Sequence, residues 1–183
     1  MKPMLLILAA ALLTSTALAD EVTDQAAARA ALTGFYSVHG KSNQDGVPDA
    51  KLRAQYVPYI SPQLAESLTN ADAAEDKYAK ANPHSPPMIE GDLFSPNFEG
   101  ITSFKVGACV TKGDTILCKM LLHYADAHPR PQDKPVDWID TVTLVKTDGS
   151  WRVDDIAYGG TWDFGNHGTL KGLLKDVIAD AEH

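Results

Sequence analysis

Beyond its N-terminal segment the chain has no long hydrophobic run, and this removes any later membrane helix, which would need about 20 successive apolar residues. Basic residues are scarce: 16 Lys and Arg stand against 24 Asp and Glu, a formal net charge of −8. A surface of that sign repels nucleic-acid phosphates and anionic headgroups, so no nucleic-acid partner is expected. There is no Gly-x-Ser-x-Gly elbow and neither phosphate-binding glycine pattern, which disfavours an ordinary hydrolase or a nucleotide site. Cysteine is limited to Cys109 and Cys118, whose spacing is not the Cys-x-x-Cys of a redox-active pair.

What the N-terminus does have is a leader. MKPMLLILAAALLTSTALAD carries Lys2, an apolar run from Met4 to Leu13, and small residues Ala17 and Ala19 at −3 and −1 of a cut after Ala19. The apolar run is too short for a membrane span. The residue after the cut is Asp20, not cysteine, so a lipid anchor is not expected there. The reading is a signal peptide over residues 1–19 and one periplasmic or secreted domain over 20–183, with no stable membrane insertion after cleavage. The cut removes Lys2 and no acid, so the net charge moves from −8 to −9. A length of about 164 residues suits one core.

Export bears on the cysteines. They flank VTKGDTIL, in which Gly113-Asp114 closes a two-residue hairpin. Pairing Lys112 with Thr115 sets Cys109 opposite Cys118 at a non-hydrogen-bonded position, where side chains approach most closely. A cross-strand disulfide fits this register and an oxidising compartment; two buried thiols are the alternative.

Residues 22–38 are alanine-rich with apolar residues at helical spacing, and Thr23 is a suitable N-cap. HGKSNQDGVPD breaks that helix. A short helix follows around Ala50–Tyr56, then a third with Ser61 as cap, Pro62 in the first turn and an apolar stripe of Leu64, Leu68, Ala71, Ala74 and Tyr78. From Ile101 the period changes to two, predicting strands over 101–111, 115–125, 136–147 and 150–158, with Asp148-Gly149 as the second tight turn. TLKGLLKDVIADAEH is amphipathic and reads as a C-terminal helix. Helices, an antiparallel meander and a closing helix make an α+β domain with the sheet curled over helix one.

The segments YISPQLAESL, SPPMIEGDLFSPNFEG and WRVDDIAYGG with Trp162 resemble the domain of unknown function 3828 family of small bacterial envelope proteins, within the nuclear transport factor 2-like superfamily. The resemblance covers most of residues 30–175. It implies a cone of N-terminal helices on a curved four-stranded antiparallel sheet, with a pocket between sheet and helices. It supplies no catalytic residue, and relatives that isomerise, hydrate or only bind share the cone.

Counting back from Thr147 opposite Ser150 places Val142 opposite Asp155 and Asp140 opposite Ala157. One face then carries Trp138, Asp140, Val142 and Leu144 beside Trp151, Val153, Asp155 and Ala157. Asp140 and Asp155 become diagonal neighbours about 7–8 Å apart. If that face is the concave one, desolvation and mutual repulsion would raise the pKa of at least one of them and supply a general acid or base, as an acid in the cone does in ketosteroid isomerase. The alternative is structural: one accepts backbone N–H groups from a helix end or loop, and the other pairs with Arg53 or Arg29.

EGDLFSPNFEG, residues 90–100, mixes Glu90, Asp92 and Glu99 with Leu93, Phe94 and Phe98. As a structural loop, Phe94 and Phe98 would enter the base of the cone while Asp92 binds the loop's own amides. That reading is preferred to acid-base chemistry. No metal is expected: His123 and His128 run off a strand into a loop, and KSNQDGVPDAKL has Lys41 and Leu52 where a calcium loop needs carboxylates. Trp138 on the inner face, and Tyr158, Trp162 and Phe164 beyond the last strand, would line a pocket for an apolar ligand or simply seal the core.

These observations favour an exported, non-enzymatic domain of the envelope that takes a small apolar ligand or a protein partner, without a cofactor. The alternatives are an isomerase or dehydratase using Asp140 or Asp155, and an interaction or immunity protein with an acidic docking surface. No sequence feature sets an oligomeric state.

Overall fold

The computed structural model describes residues 8–42, 45–162 and 165–181, with side chains from residue 20 onward. Residues 1–7 of the expected leader, Asn43 of the calcium-like loop, Phe164 and the last two residues of the expected C-terminal helix lie outside the described residues.

Four helices and four strands follow one another as α1 (Leu8–His39), α2 (Ala50–Tyr56), α3 (Pro62–Ala81), β1 (Ser103–Lys112), β2 (Thr115–Tyr124), β3 (Val136–Thr147), β4 (Ser150–Ala157) and α4 (Leu170–Asp180). The sheet is an antiparallel meander in the order β1-β2-β3-β4. The fold is therefore α+β. Helix α1 begins well before the expected residue 22, running unbroken through residues 8–19. Among the described residues no helix is long and apolar enough to cross a membrane.

Local chemistry explains the boundaries. Ser61 Oγ accepts the Leu64 N–H at 3.0 Å and Pro62 follows, where its missing donor costs nothing. Asp49 and Thr169 cap α2 and α4 in the same way, on Leu52 and Gly172. At the β3–β4 turn Asp148 and Gly149 both have positive φ, 49° and 75°, as a type I′ turn demands.

Helix α1 packs on one sheet face through Leu32, Phe35 and Tyr36, all with no exposure, against β1, β2 and β4. Burial of Leu32 and of Phe35 contributes roughly 1.5–3 kcal/mol each. Asp24 secures the helix to the second hairpin: its Oδ1 takes Lys146 Nζ at 2.7 Å and Trp151 Nε1 at 3.0 Å. Trp138 and Trp151 are both buried on this inner face. Helix α3 packs on α4 and β4, burying Leu64, Leu68, Ala71 and Ala74. The free edge of β4 is covered, because Val153 exchanges backbone hydrogen bonds with Tyr59 and Ser61, each 2.8 Å.

Cys109 pairs with Cys118 in the β1–β2 ladder, and the two form a disulfide with Cα atoms 4.1 Å apart. No free cysteine remains among the described residues.

The β3–β4 register departs from a regular count. It runs as expected from Thr147↔Ser150 to Leu144↔Val153, then jumps to Thr143↔Asp155, Val142↔Ile156 and Thr141↔Ala157. Asp154 is the extra residue of a bulge. The expected pairings Val142 with Asp155 and Asp140 with Ala157 are thus corrected. Without the bulge, Asp155 would face the core and Ile156 solvent; with it, Ile156 is fully buried. Burying an unpaired carboxylate costs more than one interrupted ladder step.

Candidate functional site

The bulge separates the two acids expected to act together. Asp155 Oδ1 accepts the Lys171 N–H in the first turn of α4 and the Ile156 N–H, each at 2.9 Å. Asp154 is equally committed, to Ser61 Oγ at 2.6 Å and Lys171 Nζ at 2.8 Å. Neither expected arginine pairs with Asp140 or Asp155. Arg53 binds Asp72 at 2.8 Å, and Arg29 reaches the Val106 carbonyl at 3.3 Å, beside the irregular step of β1.

Asp140 stays on the inner face with no solvent exposure. Its Oδ1 accepts the Gly159 N–H at 2.8 Å, and Trp138 Nε1 reaches Oδ2 at a long 3.4 Å. Burial pushes its carboxyl up to about 6, the Gly159 and Trp138 donors pull it back, and the Asp92 charge adds to the rise. Tyr36 is held well above the ordinary phenol range, by burial first and then by Asp140 and Asp92.

The three described members of the expected aromatic set pack in or against the core. Trp138 and Trp162 meet edge to face with centroids 5.3 Å apart. Tyr158 donates its hydroxyl to the Leu93 carbonyl at 2.7 Å, tying the end of β4 to the 90–100 loop. None of the three lines the clefts described below.

The 90–100 loop is self-satisfied. Asp92 Oδ1 accepts the Phe94 N–H at 2.8 Å, Ser95 Oγ accepts the Asn97 N–H, and Asn97 Nδ2 donates to the Gly100 carbonyl. Leu93 and Phe94 are buried, whereas Phe98, expected in the base of the cone, is 50 % exposed. One aromatic suffices to plug the core there: Phe94 already meets Phe35, Tyr56 and His39 at 5.1–5.4 Å. Glu90 and Glu99 are exposed.

His39, which the sequence reading did not single out, meets this loop. It ends α1, and the helix periodicity sets it on the face of Phe35 and Tyr36, toward the core. Its Nε2 lies 2.9 Å from Asp92 Oδ2, with side-chain exposures of 7 % and 9 %. The contact lacks hydrogen-bond direction, and neither ring nitrogen has a hydrogen-bond partner. The hydroxyls of Tyr36 and Tyr56 are likewise buried without partners. Ser42 lies close enough to Tyr56 to act on its ionisation, yet its own hydroxyl donates to the His39 carbonyl at 2.8 Å. A lone histidine at a helix end carries no motif; the only signal was Gly40 behind it, stopping the helix there.

His39, Ser42, Asp45, Asp92, Glu99 and Gly100 line a cleft of about 250 Å³. A neighbouring cleft of about 350 Å³ shares Asp45 and adds Asp72, Glu75, Glu90 and Phe98. A parallel bridge between Gly46 and Asp92, with the Gly46 N–H on the Gly91 carbonyl at 2.7 Å, joins the two loops between them. Among the described residues no three His, Cys, Asp or Glu side chains converge as a metal ion requires. His123 instead meets Asp137 at 2.9 Å, and His128 lies in a separate turn.

No protein-family model matches the chain, and no curated protein matches it.

Proposed function

We propose that this chain is an exported binding domain of the cell envelope, with a nuclear transport factor 2-like cone whose interior is structural. The observation that carries this reading is the state of Asp140, fully enclosed and bound to Gly159 and Trp138. An acid that moves a substrate proton must come within hydrogen-bond reach of it. Asp155, its expected companion, holds the start of α4. Export is supported by the leader-like N-terminus and by a disulfide that uses both cysteines. The ligand or partner is then met at the surface, where the clefts lie.

The second reading, an isomerase or dehydratase, draws on one observation: a carboxyl raised to about 6 suits a general acid or base. Fractionation and native mass spectrometry of protein purified from its own host separate the two. The binding reading expects a chain beginning at Asp20 in the exported fraction, carrying a companion molecule that Asp140→Asn retains unaltered. A chain held uncut in the cytoplasm, or a companion that wild type converts and Asp140→Asn does not, overturns it.

A further inference from the structure

Besides its clefts the surface carries one uncovered sheet face. In β2 six of the seven residues 116–122 are apolar, the pattern of a strand buried on both sides and not the alternation of one wetted on one side. The inner set, Ile116, Cys118, Met120 and Leu122, is buried in the core that α1 closes. The outer set is Leu117 and Leu121. The register places Leu117 beside Val110 and Thr143, and Leu121 beside Lys105 and Ile139. Val110, Leu121 and Ile139 are 56, 40 and 50 % exposed, and α3 and α4 meet the sheet at β4, away from them. A contiguous apolar patch of this kind marks an interaction site.

The charges of this face are the reverse of the molecule's. The chain is −8 overall, yet the strands put Lys105, Lys112 and Lys119 here, and none of the three makes an ion pair among the described residues. Lys119 is turned across the face, where its Nζ donates to Thr141 Oγ1 at 2.8 Å. The acids that the strands place on the same side are committed elsewhere, Asp137 to His123 at 2.9 Å and Asp155 to the Lys171 N–H at 2.9 Å. Apolar rows separated by unanswered lysines are complemented by apolar side chains separated by carboxylates. A second copy does not fit, because a two-fold contact would bring two lysine sets together with no free acid between them. An anionic bilayer does not fit either, because three lysines do not offset the approach of a chain of net charge −8.

Along β2 the outer face reads Leu117, Lys119, Leu121 in steps of about 7 Å, the two-residue step of any extended chain. We propose that the outer face of β1, β2 and β3 docks an extended acidic segment of a partner protein. One apolar side chain of the segment rests on Val110 and Leu117, the next on Leu121 and Ile139, and a carboxylate between them meets Lys119, with Lys105 and Lys112 at the flanks. This deepens the binding-domain reading and rests on it.

The test titrates protein purified as the host makes it with a peptide that repeats leucine, serine, glutamate, serine. Two control peptides replace its glutamates by lysine or its leucines by serine, and phosphatidylglycerol vesicles form a further arm. Calorimetry and the backbone amide resonances are the readouts. The leucine and glutamate peptide should bind at least about ten-fold more tightly than either control, shift amides of β1, β2 and β3, and weaken as salt is added. The exposed charge variant Lys105→Glu/Lys112→Glu/Lys119→Glu should reverse the preference in favour of the lysine peptide, and Leu121→Thr/Ile139→Thr, which keeps good strand formers, should weaken both by about ten-fold. The amide map of the wild type needs no variant to fold. Equal binding of the three peptides, shifts confined to the clefts, an unreversed preference in the folded charge variant, tighter binding to vesicles, or sedimentation showing two copies joined through this face overturns the proposal. If the host companion co-purifies undiminished with the folded charge variant, the docking face alone falls. If Asp140-dependent turnover appears, the binding-domain reading falls.

Discussion

Gly159 donates its backbone N–H to Asp140 Oδ1 at 2.8 Å, and this is the shortest bond the enclosed carboxyl makes. One donor and a long indole contact do not replace the water an ionised carboxylate loses, so burial leaves the carboxyl at about 6, up from 3.8. Between these values the folded chain binds more protons than the unfolded one, and this group's contribution to stability falls as pH rises. The loss is on the order of 3 kcal/mol by pH 7. Asp140→Asn should remove that slope, so urea unfolding of wild type and variant should diverge between pH 4 and 7. Parallel curves would show that Asp140 titrates as an exposed acid does.

At the other acid the expectation is different. Asp155→Ala takes an acceptor from the first turn of α4 and should cost about 1–2 kcal/mol, with faster hydrogen exchange confined to α4. Asp155→Asn keeps the acceptor and should cost much less. Equal losses in the two variants would mean that charge, and not the cap, is what matters.

The disulfide closes a short loop between residues already held in register, so reduction should cost about 2 kcal/mol and leave the fold intact. Alkylation of native protein before reduction should add no mass, and after reduction should label both Cys109 and Cys118. Labelling before reduction contradicts the pairing.

Gly100→Ala and Gly113→Ala form a matched comparison, since both glycines have positive φ, 79° and 58°. A Cβ at Gly100 would sit 2.6 Å from Asp92 Oδ2, whereas at Gly113 it meets nothing. Gly113→Ala should cost about 1 kcal/mol of backbone strain. Gly100→Ala should cost roughly 2 kcal/mol more and alter the His39 resonances, because Asp92 must move. Equal melting temperatures would remove Gly100 from the support of the His39–Asp92 contact.

Element boundaries were open to a local reading because their causes are local. Ser61 before Pro62, Asp148 before Gly149, and the change of period at Ile101 each act within a few residues. So does the Cys109–Cys118 register, counted across a two-residue turn. The bulge at Asp154 escaped because counting assumes a regular ladder, while the choice between burying Asp155 or Ile156 is made by the helices packed on the sheet. Phe98 was misplaced for a related reason: Phe94 occupies the space against Phe35 and Tyr56, and only packing reveals that there is room for one ring. His39 and Asp92 are remote in the chain, and no spacing rule joins them.

By itself the sequence determined the α+β element order, the acidic surface and the register that sets its two cysteines opposite one another, because periodicity, charge and turn chemistry act at short range. Only the tertiary structure decided which acids are enclosed, which cap a helix and which face an open cleft. Those outcomes depend on the cost of removing a carboxylate from water, and that cost is set by whichever distant segments close over it.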